Sequence, residues 1–104
     1  MRAVFNDVIH APNRLRITAA LAAVEGAEFS TIRDALGVSD SVLSKQIKPL
    51  SEAGYVTITK TVIDSHVRTS LALTATGRKA YRAHIAALRD LTAMGDAATT
   101  ATTE

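Results

Sequence analysis

The sequence predicts a mainly helical fold with one small β-hairpin, and three observations lead to this prediction. Apolar residues recur at helical spacing on both sides of a short central stretch in which the period changes to two. Two of the helical segments are joined by a tight turn that contains a glycine. The chain has 104 residues and no cysteine, so we expect one domain held together by packing, without disulfides or thiolate metal sites.

The first helix is predicted from Pro12 to Val24, because Leu15, Ile17, Ala20, Leu21 and Val24 recur at helical spacing. A proline suits the first helical position, where its missing N–H would have no partner. Before it, apolar residues at positions 4, 5, 8 and 9 predict another helical turn or two that packs as an arm.

A pair of short helices follows. Ser30 is predicted as the N-cap of a helix over residues 31–36, and Gly37 is placed where a left-handed residue ends a helix. Ser39 is a second N-cap candidate and opens a helix over 39–53, with Pro49 expected to bend its end. This arrangement is a helix-turn-helix pattern.

The hairpin follows Gly54. Alternating residues rich in β-branched types predict strands over 55–60 and 67–73, with a turn at 64–66. Thr74 or Thr76 then caps a last helix. Residues 95–104 contain no large apolar side chain, so the folded domain is predicted over 1–94 and a disordered tail over 95–104.

The charge of the chain is concentrated in one stretch. The net charge is only +2, but residues 41–82 hold seven basic and two acidic residues, a net charge of +5. There is no apolar run of the roughly 20 residues that span a bilayer, and the N-terminus lacks the pattern of a signal peptide. We therefore expect a cytoplasmic protein.

Three helices followed by a hairpin predict a winged helix-turn-helix, with a three-helix core, a wing and a C-terminal helix for dimerisation. In such proteins the second helix of the pair enters the major groove of DNA, and the wing at 60–68 lies on the flanking backbone or minor groove. Hydroxyls and lysines suit contacts with phosphates and base edges. The predicted DNA-binding residues on the recognition helix are Ser39, Ser41, Ser44, Lys45 and Lys48, and on the wing Lys60, His66 and Arg68.

The segments HAPNRLRITAALA (10–22), FSTIRDALGVSDSVLSKQIKPLSEAGYVTITK (29–60) and VRTSLALTATGRKAY (67–81) resemble the stand-alone winged-helix transcriptional regulators related to the ArsR and MarR families. The resemblance implies DNA contacts by Ser41, Ser44 and Lys45, a wing contact by Arg68, and phosphate contacts by Ser30 and Thr31.

The same resemblance implies a homodimer that binds a palindromic operator, with a repressor as the expected role. An apolar stripe on the last helix supports a dimer independently, because so small a monomer cannot easily cover it. The predicted interface residues are Phe5, Val8, Ile9, Tyr81, Ile85, Leu88 and Leu91.

Other functions were weighed. The chain lacks paired carboxylates at useful spacing, a phosphate loop and a nucleophile motif, so no catalytic residue, cofactor or metal site is predicted. An ArsR-like metal or ligand sensor remains an alternative, in which a two-fold dimer brings His84 near its mate or near His10. A small-molecule effector is not assigned to any residue. A winged helix used as a protein–protein module is the other competitor, because a fold does not fix a function.

Overall fold

The structure is a computed structural model that describes residues 6–102, with side chains described for 6–95. Its elements follow in the order α1 Asp7–His10, α2 Pro12–Ala22, β1 Ala27–Glu28, α3 Phe29–Leu36, α4 Asp40–Glu52, β2 Val56–Ile63, β3 His66–Leu73 and α5 Ala75–Thr102. The predicted fold class, a mainly helical winged helix-turn-helix, is confirmed. No helix in the described part of the chain is long and apolar enough to cross a membrane.

The caps of α3 and α4 differ in how well they were predicted. Ser39 caps α4, because its side chain accepts a hydrogen bond from the backbone N–H of Val42, and Gly37 ends α3 in the left-handed region at φ 68°. Ser30 is not a cap, which corrects the prediction. The short strand β1 leads directly into the helix, so α3 begins at Phe29 and Glu28 takes the N-cap position without a side-chain hydrogen bond.

The sheet has three antiparallel strands in the order β1-β3-β2, so β2 is an edge strand. β2 and β3 pair over their whole length, from Val56 opposite Leu73 to Ile63 opposite His66. Only Asp64 and Ser65 connect them, both at positive φ (51° and 64°), as in the tight hairpin turns that match the strand twist. His66 is thus the first residue of β3 and not part of the turn.

The core lies between the helices and the inner face of the sheet. Leu43, Ile47 and Leu50 of α4 are buried, as their spacing predicted. They belong to one cluster of buried apolar side chains, completed by Ile9, Ile17, Leu21, Ile32, Leu36, Val56, Leu71 and Leu73. Because α4 contributes one face to this cluster, its opposite face is held rigidly toward solvent.

Helix α5 packs on the rest of the chain through a face that includes His84, and Tyr81 also packs partly against the core. Gly77, His84 and Ala87 are buried, whereas Tyr81, Ile85 and Leu88 are only half-buried. The backbone continues as helix to Thr102, beyond residue 94, where the sequence analysis ends the folded domain. Alanines at 97, 98 and 101 favour this continuation. The domain boundary and the tail stay predictions.

A histidine pair joins α5 to the N-terminal helix. His84 is fully buried, and its Nδ1 accepts a hydrogen bond from the backbone N–H of Asn6 at 2.9 Å. Its Nε2 lies 3.3 Å from Nδ1 of His10. The Asn6 side chain caps α1 at the N–H of Ile9 and also donates to the Tyr55 hydroxyl at 3.0 Å. Because Nδ1 of His84 accepts, the buried imidazole is neutral.

We expect the stability of the protein to fall in mild acid. Burial, and next the charge of His10, lower the pKa of His84, while Asp7 opposes them. The unfolded chain therefore binds a proton on this imidazole at a higher pH than the folded chain. The free energy of unfolding is then highest above the ordinary histidine pKa of about 6.5 and declines as the pH falls below it.

Urea denaturation between pH 5 and pH 8 measures this decline. His84→Gln should flatten the pH profile, whereas His66→Gln, at an exposed position, should leave it as in the wild type. A His84→Gln profile that still falls as steeply as that of the wild type would assign the titration to another group.

Candidate DNA-binding surface

The outer face of α4 carries the hydroxyl and lysine side chains that the sequence analysis named. Ser41, Ser44, Lys45 and Lys48 are all exposed. Ser39 is exposed too, but its hydroxyl accepts from Val42 N–H at 3.2 Å and lies 3.3 Å from Ser41 Oγ. Ser39 therefore has a capping role in the helix whatever else it contacts.

A groove of about 480 Å³ separates α4 from the hairpin. Ser44 and Lys48 line it from the helix, and Lys60 and Thr69 line it from β2 and β3. Its floor is apolar and is formed by Phe29, Ile47, Ile58 and Leu71. The fold thus brings recognition-helix and wing residues that are distant in sequence to the two sides of one groove.

The lysines on this surface differ from several arginines of the chain in that the arginines are hydrogen-bonded to other groups of the protein. Arg16 donates to the Leu36 carbonyl at 2.8 Å, and Arg78 donates to the carbonyls of Ala22 and Val24. These arginines satisfy the carbonyls at helix ends, which otherwise lack partners. Within residues 6–95 the ion pairs involve arginines alone, so the lysines of α4 and β2 keep their charge for an external partner.

One acidic residue at this surface is paired with an arginine, a feature that the sequence analysis missed. Asp40, the first residue of α4, accepts from Arg33 Nη1 at 2.9 Å, and Asp34 accepts from Arg33 Nε at 2.9 Å. Hydrogen bonds from Arg33 to Asp34 and then to Asp40 raise the pKa of its guanidinium, which stays charged. The repulsion between Asp40 and a phosphate is reduced accordingly. In the sequence, the only signal for the contact between Arg33 and Asp40 is that the arginine lies seven residues before an acidic residue at the start of a predicted helix.

On the wing, Arg68 has an internal partner. Its Nη1 lies 2.9 Å from Oε1 of Glu28 on β1, and both side chains are about half exposed. Such exposed ion pairs contribute little, about 0–1 kcal/mol, so the arginine can exchange Glu28 for a phosphate at small cost. Lys60 and His66 are exposed.

The two predicted phosphate contacts at the start of α3 lie within its first turn. Thr31 is exposed and Ser30 is half-buried. Ser30 lines a shallow surface depression together with Val67, Arg68 and Thr69 of β3. This end of α3 therefore lies beside the wing.

The predicted dimer residues fall into different environments. Ile9 is fully buried in the core of its own chain and offers no surface to a partner, which corrects its place in the interface set. Val8 is half-buried, as are Tyr81, Ile85 and Leu88, and Leu91 is exposed by 54%. Phe5 lies outside the described residues.

His10 and His84, considered above as metal ligands across a dimer, lie together within one chain. Among the described residues there is no group of three or more histidine, cysteine, aspartate or glutamate side chains that could hold a metal ion.

A helix-turn-helix whose second helix exposes hydroxyls and lysines, next to a hairpin that adds another lysine, is the arrangement of winged-helix proteins that bind DNA. Comparison with known proteins agrees. Residues 13–92 match the model of the winged helix DNA-binding domain. The chain belongs to this family.

Similar proteins include an uncharacterised protein and two transcriptional regulators. The sequence is 34% identical over 82 residues to the uncharacterised protein MJ0432 of Methanocaldococcus jannaschii, over 79% of this chain and 85% of that one. A transcriptional regulator homologue from Pyrococcus horikoshii OT3 superposes with a TM-score of 0.82 at 26% identity, over 86% of this chain and 88% of that chain. A MarR-family transcriptional regulator from Silicibacter pomeroyi superposes with a TM-score of 0.63 at 25% identity, over 80% of this chain and 55% of that chain.

Proposed function

We propose that the protein is a homodimeric transcriptional regulator without catalytic activity, which binds a palindromic operator in the cytoplasm and represses transcription. Helix α4 enters the major groove, and the hairpin lies on the flanking backbone or minor groove. The alternatives weighed from the sequence, a protein–protein module and a metal or ligand sensor, have no comparable support from the described surface.

The observation that carries the proposal is the groove between α4 and the wing. Lys48 and Lys60 line its two sides and form no ion pair within residues 6–95. Two acidic residues also line the groove, Glu52 and Asp40, of which Asp40 is paired with Arg33. A DNA backbone strand divides the major groove from the adjacent minor groove, so a helix and a wing that contact the two grooves must straddle that strand. Lys48 on one side of that strand and Lys60 on the other can then bind its phosphates. Ser41, Ser44 and Lys45 then face the base edges, and Ser30, Thr31, His66 and Arg68 supply outer contacts.

The dimer rests on the half-exposed stripe of α5. Tyr81 and Val8 already pack partly against the core of their own chain, so the half-buried Ile85 and Leu88 and the exposed Leu91 offer the most apolar surface to a second copy, with Tyr81 and Val8 at the margins. A two-fold dimer places two recognition helices one DNA turn apart, roughly 34–36 Å. The operator should therefore be a palindrome with half-sites at that spacing.

Binding to operator fragments selected from genomic DNA tests the proposal, and Lys48→Ala tests the groove. This variant should bind all sequences more weakly and should reduce the slope of log affinity against log salt by about one unit, because one phosphate contact is lost. Titrations by fluorescence anisotropy at several salt concentrations measure the slope.

Lys79→Ala is the matched control, since Lys79 is also exposed but lies on α5, outside the groove. Its slope should equal that of the wild type. If the wild-type protein retains no DNA even at low salt, the DNA-binding proposal fails and the protein–protein module takes its place.

A further inference from the structure

The outer end of the wing is apolar. Val62 and Val67 are paired directly across β2 and β3, and their exposed fractions are 69% and 65%. The core lies nearer the base of the hairpin, where Leu71 and Leu73 are buried, so within residues 6–95 this pair stays mostly exposed and is not part of the core. Contiguous exposed apolar side chains can mark a contact surface when they form a patch.

The strand register shows which way this pair faces. Side chains alternate between the two faces of a strand, so Val62 lies on the same face as Ile58 and Lys60, which line the groove beside α4. Val67 shares that face with Thr69. The opposite face carries Ile63 and also Arg68, which Glu28 holds at 2.9 Å. The face of the wing that lines the groove beside α4 therefore carries the positive charge of Lys60 in its middle and the apolar side chains of Val62 and Val67 at its end.

Along the wing a lysine is followed by two valines, and this order matches the order of phosphates and then sugars that a wing meets on DNA. A wing that starts over the phosphates of one strand reaches, further out, the walls of the adjacent minor groove. Those walls are formed by the C–H groups of deoxyribose, which have no charge and suit apolar contact. Lys60 corresponds to the phosphates, and the valine pair corresponds to the sugars beyond them.

We propose that Val62 and Val67 pack against the deoxyribose walls of the minor groove that flanks the recognition helix, and so add a contact that does not depend on salt. This inference rests on the proposed DNA binding and names a wing contact that acts without charge. Since the sugars are alike for all four nucleotides, the contact adds affinity with little base preference.

The double variant Val62→Ala, Val67→Ala tests the inference. Its affinity for the selected operator should be about tenfold lower, because methyl groups that leave water in the complex are removed. Its salt slope should stay that of the wild type, whereas Lys60→Ala should lower the slope by about one unit. Ile63→Ala is the matched control on the opposite face of the same hairpin and should bind as the wild type does.

The positions are exposed, so the variants should fold, and thermal melting of the free proteins checks this. An unchanged affinity of the folded double variant overturns the inference, and so does an equal loss in the Ile63→Ala control. If the double variant instead loses self-association in sedimentation and keeps its DNA affinity, the wing end is a contact between copies. A wild-type protein that binds no DNA refutes the proposed function itself, which is a separate outcome.

Discussion

Gly77→Ala should destabilise the protein by about 3 kcal/mol, a large effect for the addition of one methyl group. A Cβ at this position would lie 2.1 Å from the carbonyl oxygen of Tyr55 and 2.9 Å from its carbonyl carbon. Both atoms belong to backbone that cannot rotate away, and the same carbonyl accepts a hydrogen bond from Thr74 N–H at 2.9 Å. The methyl group would therefore push the start of α5 away from the base of the wing.

Thermal unfolding followed by circular dichroism measures the effect, which corresponds to a decrease of roughly 15 °C in Tm. Gly95→Ala is the matched control, because Gly95 also lies in α5 but, among the described residues, no atom outside its own helical turn lies within 4 Å of the added Cβ. There alanine should stabilise the helix slightly. A Gly77→Ala protein that melts within a few degrees of the wild type would show that the two segments can separate at little cost.

Leu88→Asp should convert the proposed dimer to a monomer and reduce operator affinity by more than about a hundredfold. An aspartate buried in an apolar interface loses its hydration without gaining a partner. Two linked recognition helices bind their half-sites far more tightly than independent ones do, so separation of the copies removes that gain. Sedimentation velocity measures the oligomeric state, and anisotropy titration measures the affinity.

Lys79→Asp introduces the same side chain on the opposite side of α5, where the helical repeat places it away from the stripe. This control should sediment as the wild type does. A Leu88→Asp protein that remains dimeric would move the interface to another surface of the chain.

Features set by local sequence were predicted well. The cap at Ser39, the left-handed Gly37 and the switch to alternating residues after Gly54 each depend on a few neighbouring residues, and the structure has all of them. The exposed face of α4 followed from the spacing of its buried leucines and isoleucine. These local patterns were sufficient for the fold class and for much of the candidate surface.

Features that depend on contacts between distant segments were not predictable in this way. The strand β1 has two residues, too few for any periodicity, yet it displaces the predicted start of α3. The burial of Ile9, the ion pair of Arg68 with Glu28 and the close approach of Gly77 to Tyr55 all join residues far apart in the chain. Sequence spacing along one element carries no information about such pairs.

The edge position of β2 has a consequence for solubility. Every residue of this strand except Lys60 is β-branched, and among residues 6–102 the backbone on its outer side has no strand to pair with. Such an edge is a template for pairing with another copy, and a lysine near its middle is a usual protection, because its charge is costly to bury. Lys60 thus discourages aggregation of its own strand, and under the proposed function the same side chain also contacts DNA, so that it links the solubility of the free protein to its binding.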